Sequence, residues 1–272
     1  MTSTHHDPVR IAILGATGRM GRCLLRAVHD STEFELVGAL ASASSPALGQ
    51  DVGEVATLGR ALGVRVTADR AQALFNAEVA VDFSVASAVE DNVEACVAGA
   101  CSLLVGTTGL SPQTLSRLGE ASARIPVLRA ANTSLGVNLL ARLVAQAAAA
   151  LPAEYDIEVI EAHHRYKLDS PSGTALALGE AAAAGRGGPP LTTPGERAQG
   201  ARAEGSIGFV SIRGGDIAGD HTVLFAGPGE RLELTHRAHD RMTFAYGALR
   251  AASWLRAVPA GLYTMDDVLG LS

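Results

Sequence analysis

The sequence predicts an α/β protein in two parts. A mostly parallel sheet covered on both faces comes first, then an α+β domain built on a mixed, largely antiparallel sheet. Three observations carry this. Short apolar runs at 9–14, 34–40, 79–83, 102–105 and 125–128 recur between helical-period stretches such as 86–97 and 111–123, the order of a sheet with crossover helices. The rhythm changes near Asn132. Beyond it, closely spaced strand-like runs are separated by glycines, which favours antiparallel pairing.

The elements follow in order. The run at 9–14 ends in Gly15-Ala16-Thr17-Gly18-Arg19-Met20-Gly21, and Met20, Leu24, Leu25 and Val28 then repeat at helical spacing. The start therefore reads strand, tight turn, helix. In the second part, 137–150 is a long helix and 155–160 alternates as a strand that runs on into 161–164. A helix at 174–184 precedes a Gly- and Pro-rich loop at 185–205. Strands at 206–213, 221–226 and 231–236 are expected to pair antiparallel. The last helix, 242–255, carries a partial apolar stripe of Phe244, Leu249, Ala252 and Leu255.

Length and composition narrow the function. At 272 residues the chain suits one large or two modest domains of roughly 150 residues each. With 28 acidic and 22 basic residues, a net charge of -6 and 4% aromatics, neither a basic surface nor a stacking platform for nucleic acid is expected. No apolar run reaches the ~18 residues of a membrane span, and the first ten residues lack the apolar core of a secretion signal. Three cysteines, Cys23, Cys96 and Cys101, make no disulfide framework and fit free thiols in a reducing cytosol.

The glycine turn carries the first chemistry. A Gly-rich turn after the first strand brings backbone amides and a helix N-terminus to a phosphate. Gly15 permits the turn, Gly18 the approach of the ligand, and Gly21 the seating of the helix. The same turn also occurs in α/β domains that bind nothing. A dinucleotide domain normally has an acidic residue about 20 residues on, at the end of the second strand, to hold the ribose diol. Here that region reads Gly38-Ala39-Leu40-Ala41-Ser42-Ala43-Ser44-Ser45, with neither a carboxylate for a diol nor a cation for a 2′-phosphate.

The second centre is Glu161-Ala162-His163-His164-Arg165-Tyr166-Lys167-Leu168-Asp169-Ser170-Pro171-Ser172-Gly173-Thr174. Seven ionisable side chains fall within nine residues there, between a strand and a helix start. Ser172 or Ser170 can cap the helix, and the Ser172 and Gly173 amides can receive a carboxylate. Histidine beside lysine suits a site that binds an anion and delivers a proton. Adjacent His163 and His164 point to opposite faces of a strand, so no metal is expected.

With these segments the chain resembles the bacterial dihydrodipicolinate reductase family. The resemblance also rests on Val81-Asp82-Phe83-Ser84, Gly106-Thr107-Thr108-Gly109, the Asn132–Asn138 segment, the segment from Arg213 to His221, and Arg241-Met242-Thr243-Phe244-Ala245. It spans nearly the whole chain, and the His-His-Arg-x-Lys-x-Asp-x-Pro-Ser-Gly-Thr run is its most specific part. The resemblance implies a Rossmann-type dinucleotide-binding domain at 1–131 plus 241–272, and a substrate and oligomerisation domain at 132–240. It implies reduction of 4-hydroxy-tetrahydrodipicolinate by NADH or NADPH in lysine and diaminopimelate synthesis, by a cytoplasmic homotetramer without nucleic-acid or membrane partners.

Roles transfer through the resemblance alone. His163 and Lys167 are implied as catalytic, with the choice of proton donor between them open. His164, Ser172, Gly173, Thr174 and Arg241 are implied to hold a cyclic dicarboxylate substrate. Gly15, Ala16, Thr17, Gly18, Arg19, Met20, Gly21, Ala41, Ser42, Gly106, Thr107, Thr108, Ala131 and Asn132 are implied to hold the cofactor. The departures from the family pattern, at Ala41, Ser42, Val85 and Thr133, all touch the cofactor side and leave NADH against NADPH open. Two other readings compete: a dinucleotide-binding sensor that lost catalysis, and a reductase of another small dicarboxylate.

Overall fold

The computed structural model describes residues 7–188, 202 and 205–271, so most of the loop expected at 185–205 lies outside the described residues. The chain divides into one compact unit, Met1–Ser134 with Met242–Ser272, and a second, Leu135–Arg241. The first crossing falls three residues beyond the expected 131, and two contacts explain it. The Thr133 hydroxyl donates to the Phe244 carbonyl at 2.7 Å. Gly247 lies so close that a Cβ there would stand 1.8 Å from the Thr133 carbonyl oxygen.

The first unit opens with β1 (Val9–Leu14), α1 (Arg19–His29), β2 (Phe34–Leu40), α2 (Val52–Val55), β3 (Val66–Thr67) and α3 (Arg70–Ala73). Then come β4 (Val79–Asp82), a 3-10 turn (Ala86–Ala88), α4 (Val89–Ala98), β5 (Ser102–Val105), α5 (Pro112–Ala121) and β6 (Pro126–Arg129). The strands lie in the order β3-β2-β1-β4-β5-β6, all parallel. Every residue of β4 and β5 is buried, as expected of central parallel strands covered on both faces. Ser111 starts α5 by accepting from the Thr114 amide, with Pro112 at the first helical position. The order reverses at β1, between β2 and β4, which opens a crevice at the carboxyl ends of those strands.

The second unit runs α6 (Leu135–Ala150), β7 (Asp156–His163), α7 (Gly173–Gly185), β8 (Ile207–Arg213), β9 (Gly219–Gly227) and β10 (Glu230–Ala238). Its sheet order is β10-β9-β7-β8. The expectation that the strands beyond the loop pair antiparallel holds for β9 with β10 but not for β8, which pairs parallel with β7. The reason is the β7–α7–β8 crossover, which returns the chain in the same direction. That topology sets His163 opposite Arg213 and Glu161 opposite Ser211. On the other side, Glu161 pairs with His221 of antiparallel β9.

One face of this sheet is covered. Leu140, Val144 and Ala148 of α6 and Ala175, Leu178 and Ala182 of α7 pack on Ile157, Val159, Val223 and Phe225. Phe225 is completely buried, a contribution of about 2–3 kcal/mol. β7 alternates strictly between half-buried and buried positions, so Ile157, Val159, Glu161 and His163 share the covered face. The chain then returns to the first unit through α8 (Met242–Leu255), β11 (Gly261–Tyr263) and α9 (Met265–Leu269). α8 lies beside α1 and covers β4, β5 and β6, and β11 extends the sheet beyond β6. Within α8 the expected stripe holds at Leu249, Ala252 and Leu255, but Phe244 is only half-buried. Small residues Ala245, Gly247, Ala248 and Ala251 complete the buried face instead. Among the described residues, no helix is long and apolar enough to cross a membrane.

Candidate active site

In the first unit the glycine turn closes against β4. Gly15 has φ +81°, and a Cβ there would stand 2.6 Å from the Phe83 carbonyl oxygen, so only glycine fits. A Cβ at Gly21 would stand 2.2 Å from the Gly15 carbonyl oxygen, which is why α1 can start directly on the turn. Gly18, at the N-cap, supplies no side-chain cap, which leaves first-turn amides for an anion. A cavity of about 500 Å³ opens at this point. Gly15, Thr17, Gly18, Ala41 and Ser42, all expected cofactor residues, line it.

The other expected cofactor residues are not among those that line this cavity. Ala16 is buried, its amide donating to the Leu40 carbonyl at 2.9 Å. Arg19 is exposed and Met20 half-buried at the start of α1. Gly106 follows β5 and lies against Phe83, whose ring would be 2.3 Å from a Cβ at that position. The Thr107 hydroxyl donates to Asp82 Oδ1 at 3.2 Å, and Thr108 is exposed. Ala131 is exposed after β6, while Asn132 Oδ1 accepts from the Ser134 amide at 2.8 Å. Glycine cradle, open amides and cavity together fit a dinucleotide. Arg70 and Asn92 also stand on the cavity wall. No sequence signal marks Arg70 there, because it follows β3, a strand too short to leave a periodic signal.

In the second unit the covered face of β7 ends in a buried polar chain. Glu161, 1% exposed, takes Arg213 in a two-pronged pair at 2.8 and 2.7 Å. Its Oε2 also lies 2.5 Å from His163 Nδ1. The Ser172 amide donates to Glu161 Oε1 at 3.2 Å. Ser172 Oγ accepts from the Ala175 amide, capping α7, and lies 3.2 Å from His221 Nε2. The His163 and His221 rings meet edge to face at 5.0 Å. Outside this chain, Lys167 Nζ pairs with Asp169 Oδ1 at 2.9 Å, and Arg213 donates to the Asp169 carbonyl at 2.6 Å.

The electrostatics follow from this geometry. Burial disfavours the Glu161 anion, but hydrogen bonds from Arg213, Ser211 and His163 overcome it and hold the carboxyl at about 2. Burial pushes His163 below the usual imidazole range. The Glu161 carboxylate opposes that, while Lys167 and Arg213 reinforce it. Burial, with His163 beside it, takes His221 down to about 4. The carboxylate beside Nδ1 fixes the Nδ1–H tautomer of neutral His163 and leaves Nε2 as its basic atom. Space at Nε2 is kept by Gly219, where a Cβ would stand only 3.1 Å from that nitrogen.

The expected substrate residues fare differently. His163 and Ser172 come together on the Glu161 carboxylate, and the Lys167 ammonium, paired with Asp169, acts on His163 through its charge. His164 is half-buried, and among the described residues its buried Nδ1 has no hydrogen-bond partner, the kind of atom that a ligand completes. The Ser172 amide, expected to receive a substrate carboxylate, is occupied by Glu161 instead. Gly173 is exposed and Thr174 half-buried in the first turn of α7. Arg241 is exposed at the last position of its unit, and among the described residues no hydrogen bond or ion pair joins it to the cluster. Glu161, Arg213 and His221 belong to the cluster although the sequence motifs alone assign them no role. The signal that could have found Glu161 is a carboxylate two residues before His163 on an alternating strand.

The comparisons agree with one another. A family model described as dihydrodipicolinate reductase, N-terminus, matches residues 9–133. A second, dihydrodipicolinate reductase, C-terminus, matches 136–269. The chain is 50% identical over 265 residues to the 4-hydroxy-tetrahydrodipicolinate reductase of Ruegeria pomeroyi, covering 96% of this chain and 98% of that one. It is also 50% identical over 266 residues to the enzyme of that name from Thiobacillus denitrificans, covering 97% and 99%. A dipicolinate-bound dihydrodipicolinate reductase from Paenisporosarcina sp. TG-14 superposes with a TM-score of 0.76 at 25% identity, covering 94% of this chain and 97% of that one. An amine dehydrogenase from Mycobacterium smegmatis, 17% identical with a TM-score of 0.68 and 96% coverage of both chains, shares the fold.

Proposed function

The chain belongs to the dihydrodipicolinate reductase family, and from that premise we propose how its residues divide the reaction. It is an oxidoreductase of lysine and diaminopimelate biosynthesis that reduces 4-hydroxy-tetrahydrodipicolinate with a nicotinamide cofactor. Tetrahydrodipicolinate and water are the products. The bound nicotinamide supplies a hydride, and the protein supplies orientation, charge and a proton.

Gly15 to Gly21, with Ala41 and Ser42, would hold the dinucleotide, the α1 amides serving as donors to an anionic group. Gly106, Thr107, Thr108, Ala131 and Asn132 would support it from the ends of their strands. The donor is NADH or NADPH. His164, Lys167 and the Gly173–Thr174 turn receive the carboxylates of the cyclic substrate, with Arg241 supporting them.

His163 delivers the proton from Nε2. In the free protein, burial and the Lys167 and Arg213 charges keep its imidazole neutral. A substrate carboxylate that engages Lys167 removes part of that repulsion and brings two negative charges close. His163 therefore takes up a proton as substrate binds, Glu161 holding the other nitrogen. The observation that carries this reading is the chain Arg213–Glu161–His163 with Lys167 beside it.

A cytoplasmic homotetramer completes the proposal. The face of the second sheet opposite α6 and α7 supports it, since Val210 and Ile212 are 40% and 49% exposed there, an apolar surface suited to another copy.

The test is a coupled assay in which a synthase makes the substrate from pyruvate and aspartate semialdehyde. Oxidation of reduced nicotinamide that depends on the synthase is expected. A folded protein that binds the cofactor but oxidises neither NADH nor NADPH in this assay contradicts the proposal.

A further inference from the structure

We propose that Arg70 is the cation that receives the 2′-phosphate of NADPH, making the chain prefer the phosphorylated cofactor. This rests on the reading of the β1 crevice as the dinucleotide site. A diol-binding crevice presents a carboxylate at the end of β2, which accepts both ribose hydroxyls and repels a 2′-phosphate. Here β2 ends in Leu40, and Ala41, Ser42 and Ala43 continue the cavity wall with no acid among them. Ser42 Oγ lies 3.0 Å from Ser44 Oγ, so this edge offers hydroxyls. The same cavity is lined by Arg70, the sole charged residue among the described residues that line it.

Arg70 is also held in place. Its Nε donates to Asn92 Oδ1 at 2.9 Å. Asn92 is completely buried and itself lines the cavity. Its amide nitrogen donates to Asp82 Oδ2 at 2.8 Å, and Asp82 is completely buried at the end of β4. A buried relay thus runs from the central strand to the guanidinium and fixes the Nε edge. One Nη2 hydrogen goes to Asp91, 2.9 Å away, in a pair whose carboxylate side chain is 65% exposed. Such a pair is weak and yields readily to a phosphate. The Nη1 hydrogens bond to no described residue. A planar cation anchored on one edge, with donors left on the other, is suited to a phosphate dianion.

Calorimetric titration of the full chain with 2′-phospho-ADP-ribose and with ADP-ribose tests this without turnover. The 2′-phosphorylated ligand is expected to bind at least about tenfold more tightly, with a steeper loss as salt rises. Arg70→Gln should abolish most of that preference while leaving ADP-ribose affinity within about twofold, and Arg70→Lys should retain part of it. Thermal melts of both variants check that they fold. Equal binding of the two ligands by the unaltered chain, or a preference undiminished in Arg70→Gln, overturns the role of Arg70 alone. Failure of the unaltered chain to bind either ligand overturns the dinucleotide reading of the crevice, and the assignment with it.

Discussion

His163 Nδ1 lies 2.5 Å from Glu161 Oε2, and both side chains leave β7 on its covered face. Two residues apart on a strand is the spacing that puts side chains on one face. Glu161 is in turn clamped by Arg213, which the parallel pairing of β8 delivers opposite His163. The imidazole is therefore fixed in both orientation and tautomer. Glu161→Gln should lower kcat by about 100-fold and cost about 2–4 kcal/mol of stability, because Arg213 loses its charged partner. Steady-state kinetics with urea unfolding reads both. Unchanged kcat would remove Glu161 from the account.

Lys167 has a different role. Its ammonium pairs with the largely exposed Asp169 carboxylate and acts electrostatically on His163. Lys167→Ala should raise KM at least about tenfold and depress kcat severely, since it removes a carboxylate ligand and with it the placement of the substrate against His163 Nε2. Near-normal kinetics in that variant would contradict the assignment.

Stability should fall on acidification in two steps. The folded His221 titrates at about 4 against about 6.5 unfolded, so the folded state binds fewer protons in that window. Its contribution is complete above pH 6.5 and is lost as pH falls toward 4, on the order of 3 kcal/mol. Glu161, at about 2 against 4.5, adds stability present above 4.5 and lost as pH falls toward 2. Urea midpoints across pH 7 to 4 should fall for the unaltered chain and flatten in His221→Gln. Identical slopes would show that His221 does not carry the effect.

Gly219 tests the geometry at the proton itself. A Cβ there would crowd His163 Nε2 at 3.1 Å, and the ring must give by a few tenths of an ångström. Gly219→Ala should cut kcat about tenfold to a hundredfold with cofactor affinity unchanged. Cofactor titration beside turnover separates this from a general loss of structure.

Much of this was legible in the sequence because it is local. The Gly15–Gly21 turn, the buried runs of β4 and β5, and the segment from His163 to Thr174 each declare themselves within about a dozen residues. What the sequence hid is non-local. Parallel β8 follows from a crossover, not from strand periodicity, so Arg213 met Glu161 unannounced. His221 reached Ser172 across β9 in the same way. Short elements such as β3 and α3 have too few residues for a period, and Arg70 sits at the start of one of them.

The uptake of a proton by His163 on substrate binding can be counted directly. Dipicolinate is titrated calorimetrically into the protein saturated with reduced cofactor, at neutral pH, in buffers of different ionisation enthalpy. The slope of observed enthalpy against buffer enthalpy gives the protons taken up on binding. An uptake approaching one proton is expected, and it should disappear in His163→Gln. Tight binding with no uptake, or an uptake that survives in His163→Gln, would contradict it.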